Sequence, residues 1–219
     1  MPKQRIGLFG GTFNPIHLGH LKAAEVARDR FGLGAVLFIP SFIPPHKSTG
    51  NMASSRDRFR MVELAIGKRQ EFIPSSIEIE APQRSYSFIT LEKVKRLYPV
   101  SWLFFILGID AYLEIKTWKS YQEVLRQCLF IVLSRPGYDL KKARRLLNKE
   151  EDVRVTEVSG AGPISETLLS EFNVFLAPIE ALDISSTEIR EKIRKGESVS
   201  GLIPPPVGEY IREKHLYQE

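Results

Sequence analysis

The chain reads as an α/β protein: a doubly wound parallel sheet with helices on both faces and a small helical C-terminal part. Three observations predict this. The short apolar runs Ile6-Gly7-Leu8-Phe9, Ala35-Val36-Leu37-Phe38-Ile39, Trp102-Leu103-Phe104-Phe105-Ile106-Leu107 and Leu129-Phe130-Ile131-Val132-Leu133 lack alternation, which is the pattern of parallel strands covered on both sides. Amphipathic stretches separate them, so strand, helix and strand follow one another as in right-handed crossovers. Glycines, histidines and a carboxylate fall directly after the runs, at the strand ends where open α/β sheets take their ligands. A length of 219 residues suits one full core, and a single domain over 1–219 is expected.

In chain order, strand one covers residues 5–9, and a helix over 17–31 stops near Gly32 and Gly34. A second strand over 35–39 leads into Pro40-Ser41-Phe42-Ile43-Pro44-Pro45-His46-Lys47, where the prolines stiffen a loop carrying two basic side chains. From Ser55 to about Lys68 a helical pattern returns, with Phe59, Val62, Leu64, Ala65 and Ile66 as its apolar face. Arg56, Arg58 and Arg60 read as solvated. The alternating run Ile77-Glu78-Ile79-Glu80 reads as a strand with one polar face, and Ser85-Tyr86-Ser87-Phe88-Ile89-Thr90-Leu91 as the capped start of a helix reaching Leu97.

The strongest buried strand, 102–107, ends in Gly108-Ile109-Asp110, where a carboxylate beside a glycine can approach a nucleotide and bond a ribose hydroxyl. The strand over 129–133 ends in Ser134-Arg135-Pro136-Gly137, and a basic helix over 139–148 follows. Between 150 and 180 the reading is thinnest: Val153-Arg154-Val155 and Val174-Phe175-Leu176 look like strands joined by a Gly/Ser/Pro loop. Ile184-Ser185-Ser186-Thr187-Glu188-Ile189-Arg190 opens a last amphipathic helix with a Ser or Thr cap, and Arg190 lies one turn along.

Composition narrows the classes. The single cysteine, Cys128, excludes an internal disulfide and any multi-cysteine zinc site, and its apolar surroundings suggest an inert core thiol. No apolar stretch is long enough for a bilayer, and the first residues lack the apolar region of a signal peptide, so a cytoplasmic protein is expected. The formal charge of +5 would suit a polyanion. Its bases are mixed with acids along helices, however, and read mainly as solvated faces.

The chemistry concentrates in Gly10-Gly11-Thr12-Phe13-Asn14-Pro15-Ile16-His17-Leu18-Gly19-His20. A strand hands over to a helix here, and N-H groups at a helix start favour a phosphate. Histidines three apart can face one side of the first turn and donate to phosphate oxygens. The stretch lacks the Glu of a zincin, the spacing of a dinucleotide fingerprint and the Lys-Ser/Thr of a Walker loop. By themselves the residues allow a phosphate site or a structural turn.

Taken together, the Gly10–His20 stretch, Pro44-Pro45-His46-Lys47, Ser85–Leu91, Gly108-Ile109-Asp110, Ser134–Gly137, Ile184–Arg190 and the ending through Leu202-Ile203-Pro204-Pro205-Pro206-Val207 to His215-Leu216-Tyr217 resemble a known family. It is the nicotinate mononucleotide adenylyltransferase branch of the H-x-G-H nucleotidyltransferase superfamily. The resemblance covers nearly the whole chain in the expected order. It implies a Rossmann-like fold and transfer of AMP from ATP to nicotinate mononucleotide, giving nicotinate adenine dinucleotide and pyrophosphate. It also implies catalytic roles for His17, His20, Lys47 and Arg190. ATP would meet Gly10, Gly11, Thr12, Phe13, His20, Gly108, Asp110, Arg135, Ile184, Ser185, Ser186, Thr187 and Arg190. The mononucleotide would meet Asn14, His46, Lys47, Ser87 and Trp118, with the indole on the pyridine ring. Mg²⁺ would enter with ATP rather than on protein side chains. The expected partners are these small molecules, with no nucleic acid and no membrane, and a homo-oligomer is left open. Two departures stand out: Ser87 occupies a position where Thr is commoner, and Ala111 one where a polar residue is commoner.

Rival readings are a sister adenylyltransferase using nicotinamide mononucleotide, phosphopantetheine or flavin mononucleotide, a noncatalytic nucleotide sensor, and a basic RNA-binding module. Pro-Pro-His-Lys and Trp118 favour the pyridine nucleotide, and the retained His17, His20, Lys47 and Arg190 argue against a sensor. No RNP-like aromatic motif supports RNA. Class I aminoacyl-tRNA synthetases share related signatures, but this chain is too short for their tRNA-binding domains.

Overall fold

The structure, a computed structural model, describes residues 3–44, 52–80, 84–134, 140–147, 153–158, 163–179 and 183–218. Strands β1 (Arg5–Gly11), β2 (Ala35–Pro40), β3 (Phe72–Pro74), β4 (Trp102–Gly108), β5 (Leu129–Ser134), β6 (Val155–Glu157) and β7 (Val174–Pro178) alternate with helices α1 (Leu18–Phe31), α2 (Ser55–Ile66), α3 (Ser87–Leu97), α4 (Ile109–Leu113), α5 (Tyr121–Gln127), α6 (Leu140–Leu146) and α7 (Glu166–Glu171). Two further helices, α8 (Ser186–Arg194) and α9 (Pro205–Glu213), follow the last strand. The sheet order is β3-β2-β1-β4-β5-β7-β6. From β1 the chain winds outward to one edge, then crosses to β4 and winds toward the other, which is the doubly wound pattern the apolar runs predict. β4 lies parallel to β1 and β5, and β7 parallel to β5 and β6. No helix among the described residues is long and apolar enough to cross a membrane.

The chain divides into two compact units: Met1–Phe9, Ala23–Leu37 and Tyr86–Ala181 form one, and Gly10–Lys22, Phe38–Ser85 and Leu182–Glu219 the other. In the first, the pleat of β4 explains why its sequence does not alternate. Successive residues point to opposite faces, and both are covered. Phe104 meets Phe31 of α1 at 6.1 Å between ring centroids, and Phe31 also meets Phe175 edge-on at 5.5 Å. On the opposite face Phe105 stacks on Phe130 at 5.8 Å and takes the edge of Trp118 at 5.7 Å. Gly7 has no side chain because its place is filled: a Cβ there would lie 2.8 Å from Ile106 Cδ1 and 2.9 Å from Leu33 Cδ1.

Buried arginines tie irregular segments to both units. In the first, Arg30 sends Nη2 to the Val158 carbonyl at 2.5 Å and Nη1 to the Pro178 carbonyl at 3.3 Å, and its own carbonyl accepts from Ile164 N-H. Val158, Ile164 and Pro178 are thereby anchored to α1. The stretch 150–180 contains β6, β7 and a short helix, α7, where the sequence suggests only a loop; Ser165 caps α7 by accepting from Leu168 N-H at 3.3 Å. Cys128 is buried as expected, and desolvation pushes its thiol up to about 12, so it stays protonated.

In the second unit the organising side chain is Arg58, and its burial overturns the reading of Arg58 as solvated. It is 0% exposed. Its Nε donates to the Ala53 carbonyl at 3.0 Å, Nη1 to Thr12 at 2.8 Å and Nη2 to Phe42 at 3.0 Å. Desolvation lowers its pKa from the usual arginine value. The inner face of α2 is accordingly Arg58, Met61, Val62, Ala65 and Ile66, rotated from the stripe through Phe59 and Leu64. Ser54 caps α2 by accepting from Asp57 N-H at 3.1 Å, and Asp57 then accepts from the Tyr210 hydroxyl of α9 at 2.9 Å.

Two other expectations fail locally. Ile77–Glu80 is a turn rather than a strand: Glu80 N-H reaches the Ser76 carbonyl at 2.9 Å, and the Ser76 hydroxyl donates to the Glu80 carboxylate. The backbone bond closes an i to i+4 turn, and the strand is β3 instead. Ser85 does not cap α3, whose N-cap is Tyr86 with no side-chain bond; Ser85 Oγ accepts from Phe42 N-H at 2.9 Å.

Replacing Arg58 by Met should leave three half-buried carbonyls without their donor, at a cost of about 2 to 5 kcal/mol. At roughly 2 to 4 °C per kcal/mol for a chain of this size, Arg58→Met is expected to lower Tm by about 5 to 15 °C in a thermal melt. An unchanged Tm would mean that the guanidinium carries none of this scaffold.

Candidate active site

The loop after β1 is built so that its carbonyls face inward. Ser41 N-H takes the Gly11 carbonyl at 2.9 Å, Arg58 Nη1 takes Thr12 at 2.8 Å, and Arg190 Nη1 takes Asn14 at 2.9 Å. Ser186 Oγ takes Pro15 at 2.9 Å, while His20 N-H and Leu21 N-H take His17 at 3.0 and 3.3 Å. With these acceptors used inside the protein, an incoming anion meets fewer repelling oxygens along the loop. Phe13 holds the bend at φ 48°. Its ring is buried, edge-on to His20 at 5.1 Å and tilted against Phe38 at 5.8 Å. A Cβ at Gly11 would sit 3.1 Å from that ring, so the second glycine makes room for the phenyl group.

His17 and His20 face one side, as their spacing predicts. Their ring centroids are 3.6 Å apart and tilted by 32°. His17 is buried and His20 half-buried. The N-H of His17 donates to His20 Nδ1 at 3.2 Å. That bond settles the tautomer: Nδ1 is the acceptor, so the ring proton sits on Nε2 and makes it a donor.

The start of α8 lies against the same loop. Ser185 caps the helix by accepting from Glu188 N-H at 3.1 Å, as expected, and Ser186 is engaged with Pro15. Arg190 sends its second terminal nitrogen to Thr187 Oγ1 at 3.3 Å. Two contacts therefore fix the guanidinium while leaving it half-buried. Ile184 is buried and packs.

Asn14 is held from three directions: its backbone carbonyl by Arg190, and its Oδ1 by Ala53 N-H at 3.0 Å and the Tyr217 hydroxyl at 2.8 Å. Burial raises the Tyr217 phenol well above its ordinary pKa against the opposing pull of Arg190 and Arg58. Desolvation, with Asp57 as acceptor, raises that of Tyr210 to about 12. Both hydroxyls remain donors at neutral pH.

The first unit carries the other described candidates. Gly108 closes β4, and Asp110 sits in the first turn of α4 with its carboxylate folded back so closely that a Cβ on Gly108 would collide with it. Ala111 follows it in the same short helix. Ser87 is the first residue of α3 and half-buried. Trp118 ends a 3-10 turn over Ile115–Thr117 and is half-buried, with Phe105 bracing its edge. Lys119 places Nζ 4.6 Å from the centroid of Tyr86. The structure therefore groups His17, His20, Asn14, Ser186 and Arg190 in one unit, and Gly108 with Asp110 in the other. His46, Lys47 and Arg135 lie outside the described residues. Sequence reasoning missed Arg58 and Tyr217. The signal for Arg58 is a charge at the inner-stripe position of an amphipathic helix.

A model of the family described as Cytidylyltransferase-like matches residues 8–192. A protein of Desulfitobacterium hafniense (strain DSM 10664 / DCB-2) named "Probable nicotinate-nucleotide adenylyltransferase" is 40% identical over 217 residues, covering 99% of this chain and 97% of its own length. One of the same name from Pelobacter propionicus is 38% identical over 215 residues, covering 98% and 99%. Plasmodium falciparum nicotinic acid mononucleotide adenylyltransferase complexed with NaAD shares the fold with a TM-score of 0.71 at 19% identity, covering 98% of this chain and 97% of that one.

Proposed function

We propose that this chain, which belongs to the cytidylyltransferase-like family, transfers AMP from ATP to nicotinate mononucleotide, releasing pyrophosphate and forming nicotinate adenine dinucleotide. The observation that carries the reading is the paired His17 and His20 beside a loop whose carbonyls are turned inward, in a chain 40% identical over almost its full length to a relative bearing that activity in its name.

The acceptor phosphate is already an anion, so the reaction needs no base to create the nucleophile. Its oxygen forms a bond to the α-phosphorus of ATP, the bond from that phosphorus to the bridging oxygen breaks, and the electron pair leaves with pyrophosphate. The protein must hold two polyanions together and stabilise charge that grows on the phosphate oxygens. In this reading His20 donates Nε2-H to such an oxygen, His17 supports the ring beside it, and Arg190 presents a fixed cation. Gly10, Gly11, Thr12 and Phe13 supply backbone, with Ile184 to Thr187 at the α8 N-terminus as a second phosphate-binding segment. Lys47 and Arg135 are assigned to phosphates, His46, Ser87 and Asn14 to the acceptor, and Asp110 with Gly108 to the nucleotide ribose.

Among the described residues no group of three His, Cys, Asp or Glu side chains could seat a metal ion, and the polar side chains of the loop are Thr12, Asn14, His17 and His20, with no carboxylate. A divalent cation, proposed as Mg²⁺, would arrive with the triphosphate. Bound there it neutralises phosphate charge, while the side chains orient the reactants.

A panel of ATP with nicotinate mononucleotide, nicotinamide mononucleotide, phosphopantetheine or flavin mononucleotide, read by pyrophosphate release, tests the assignment. Turnover is expected first with nicotinate mononucleotide, and turnover only with the latter two would overturn it. His20→Ala should lower kcat by about a hundredfold to a thousandfold with Tm near the parent value; turnover within a few fold of the parent would remove its role.

Trp118 separates the acceptors. Set at a steep angle to Phe105 and partly covered, its indole is proposed as a platform for the pyridinium, a stacking and cation-π contact worth about 1 to 3 kcal/mol. Trp118→Ala should raise the KM for nicotinate mononucleotide by roughly tenfold and leave kcat and the KM for ATP nearly unchanged. The lost Phe105 contact should lower Tm slightly. A large fall in Tm with an unchanged acceptor KM would make the indole purely a packing group.

A further inference from the structure

The end of the chain enters the second unit in a conformation that needs a reason. After α9, His215 adopts φ 51° and Tyr217 φ 65°, left-handed backbone that is costly for residues with a Cβ. Neither is the glycine that would adopt it freely. Local bonds help to hold the turn: Lys214 N-H to Tyr210 at 3.0 Å, His215 N-H to Arg212 at 3.3 Å and Leu216 N-H to Ile211 at 3.0 Å. This fold of the tail brings the Tyr217 hydroxyl to Asn14 Oδ1 at 2.8 Å.

That oxygen also accepts from Ala53 N-H at 3.0 Å. A carboxamide oxygen has two lone pairs, and both are now used. The sense of the Asn14 amide is therefore fixed, with oxygen toward Tyr217 and Ala53 and the NH₂ edge turned away as a donor. The Asn14 side chain is almost buried, at 8% exposure, and its backbone carbonyl is held by Arg190. The residue cannot drift without disturbing the loop that carries His17 and His20.

We infer that Tyr217 is a positioning residue: its hydroxyl fixes the Asn14 carboxamide so that the NH₂ group donates to the acceptor mononucleotide, which makes the C-terminal turn part of the acceptor site. The inference rests on the assignment of Asn14 to the acceptor. The elevated phenol pKa agrees with a permanent donor, and the hydroxyl faces Arg190, Arg58 and Asp57 as its charged neighbours.

The test is a double-mutant cycle on the full chain with Tyr217→Phe, Asn14→Ala and both together, measuring KM for each substrate, kcat and Tm. Loss of one neutral hydrogen bond corresponds to roughly a three- to tenfold effect. Tyr217→Phe is expected to raise the KM for nicotinate mononucleotide by about that factor, with the KM for ATP and Tm little changed. In the Asn14→Ala background the same substitution should do nothing further. An unchanged acceptor KM in Tyr217→Phe would overturn the inference, as would an effect that multiplies that of Asn14→Ala. If Asn14→Ala keeps its acceptor KM while the parent uses nicotinate mononucleotide, the role of Asn14 and this inference fall and the reaction stands. If the parent instead turns over a different acceptor, the substrate reading falls, and the same cycle run on that acceptor decides the inference.

Discussion

The second unit depends on where the carbonyl oxygens of one loop point. An anion site made from backbone needs N-H groups outward, and every peptide that offers an N-H also carries an oxygen that must go elsewhere. Here Gly11, Thr12, Asn14, Pro15 and His17 each give that oxygen to a protein donor. The donors come from Ser41 just after β2, from α2, from α8 and from the first turn of α1. A short loop thus fixes the positions of four elements at once, and they fix it in return. The buried guanidinium of Arg58 is the strongest of these ties because it also holds Ala53 and Phe42, and an arginine makes such contacts with a planar fork that lysine lacks.

This arrangement explains which parts of the molecule were legible from the amino-acid sequence. Parallel strands covered on both faces are written as unbroken apolar runs, and Phe104 with Phe105 shows why: neighbouring residues each face a packed layer. The histidine pair was legible because a spacing of three on a helix has one geometric meaning. The Ser185 cap was legible because a hydroxyl before an amphipathic stretch acts locally. Most of what escaped detection depends on distant partners. Arg58 looks solvated until Thr12, Ala53 and Phe42 converge on it. The Ile77–Glu80 alternation mimics a strand, but a local backbone bond from Glu80 N-H to the Ser76 carbonyl closes a turn. Ser85 has the chemistry of a cap and is used instead by Phe42 N-H, 43 residues away.

The first unit shows the complementary design. Its candidate groups are placed by packing rather than by hydrogen bonds to a loop. Trp118 takes its position from Phe105, which is itself stacked on Phe130 in the sheet. Gly108 is small because the Asp110 carboxylate occupies the space beside it. An indole braced at one edge and a carboxylate at the start of a helix are suited to recognition, since neither must move a proton.

The tautomer of His20 decides what kind of catalyst the second unit can be. Because Nδ1 accepts from the His17 backbone, a neutral His20 carries its proton on Nε2 and offers no lone pair there. It can therefore donate to an oxygen but cannot remove a proton through that nitrogen. A base would be needed if the nucleophile were a hydroxyl, and the site would then be miswired. A phosphate nucleophile arrives ionised, and its difficulty is repulsion. In the proposed reaction, fixed donors, a guanidinium anchored by Asn14 and Thr187, and carbonyls turned inward would act on that repulsion without further reorganisation. The hydrogen bond that orients His20 thus suits the proposed phosphate acceptor better than an alcohol, and it comes from the backbone, where a side-chain substitution cannot easily undo it.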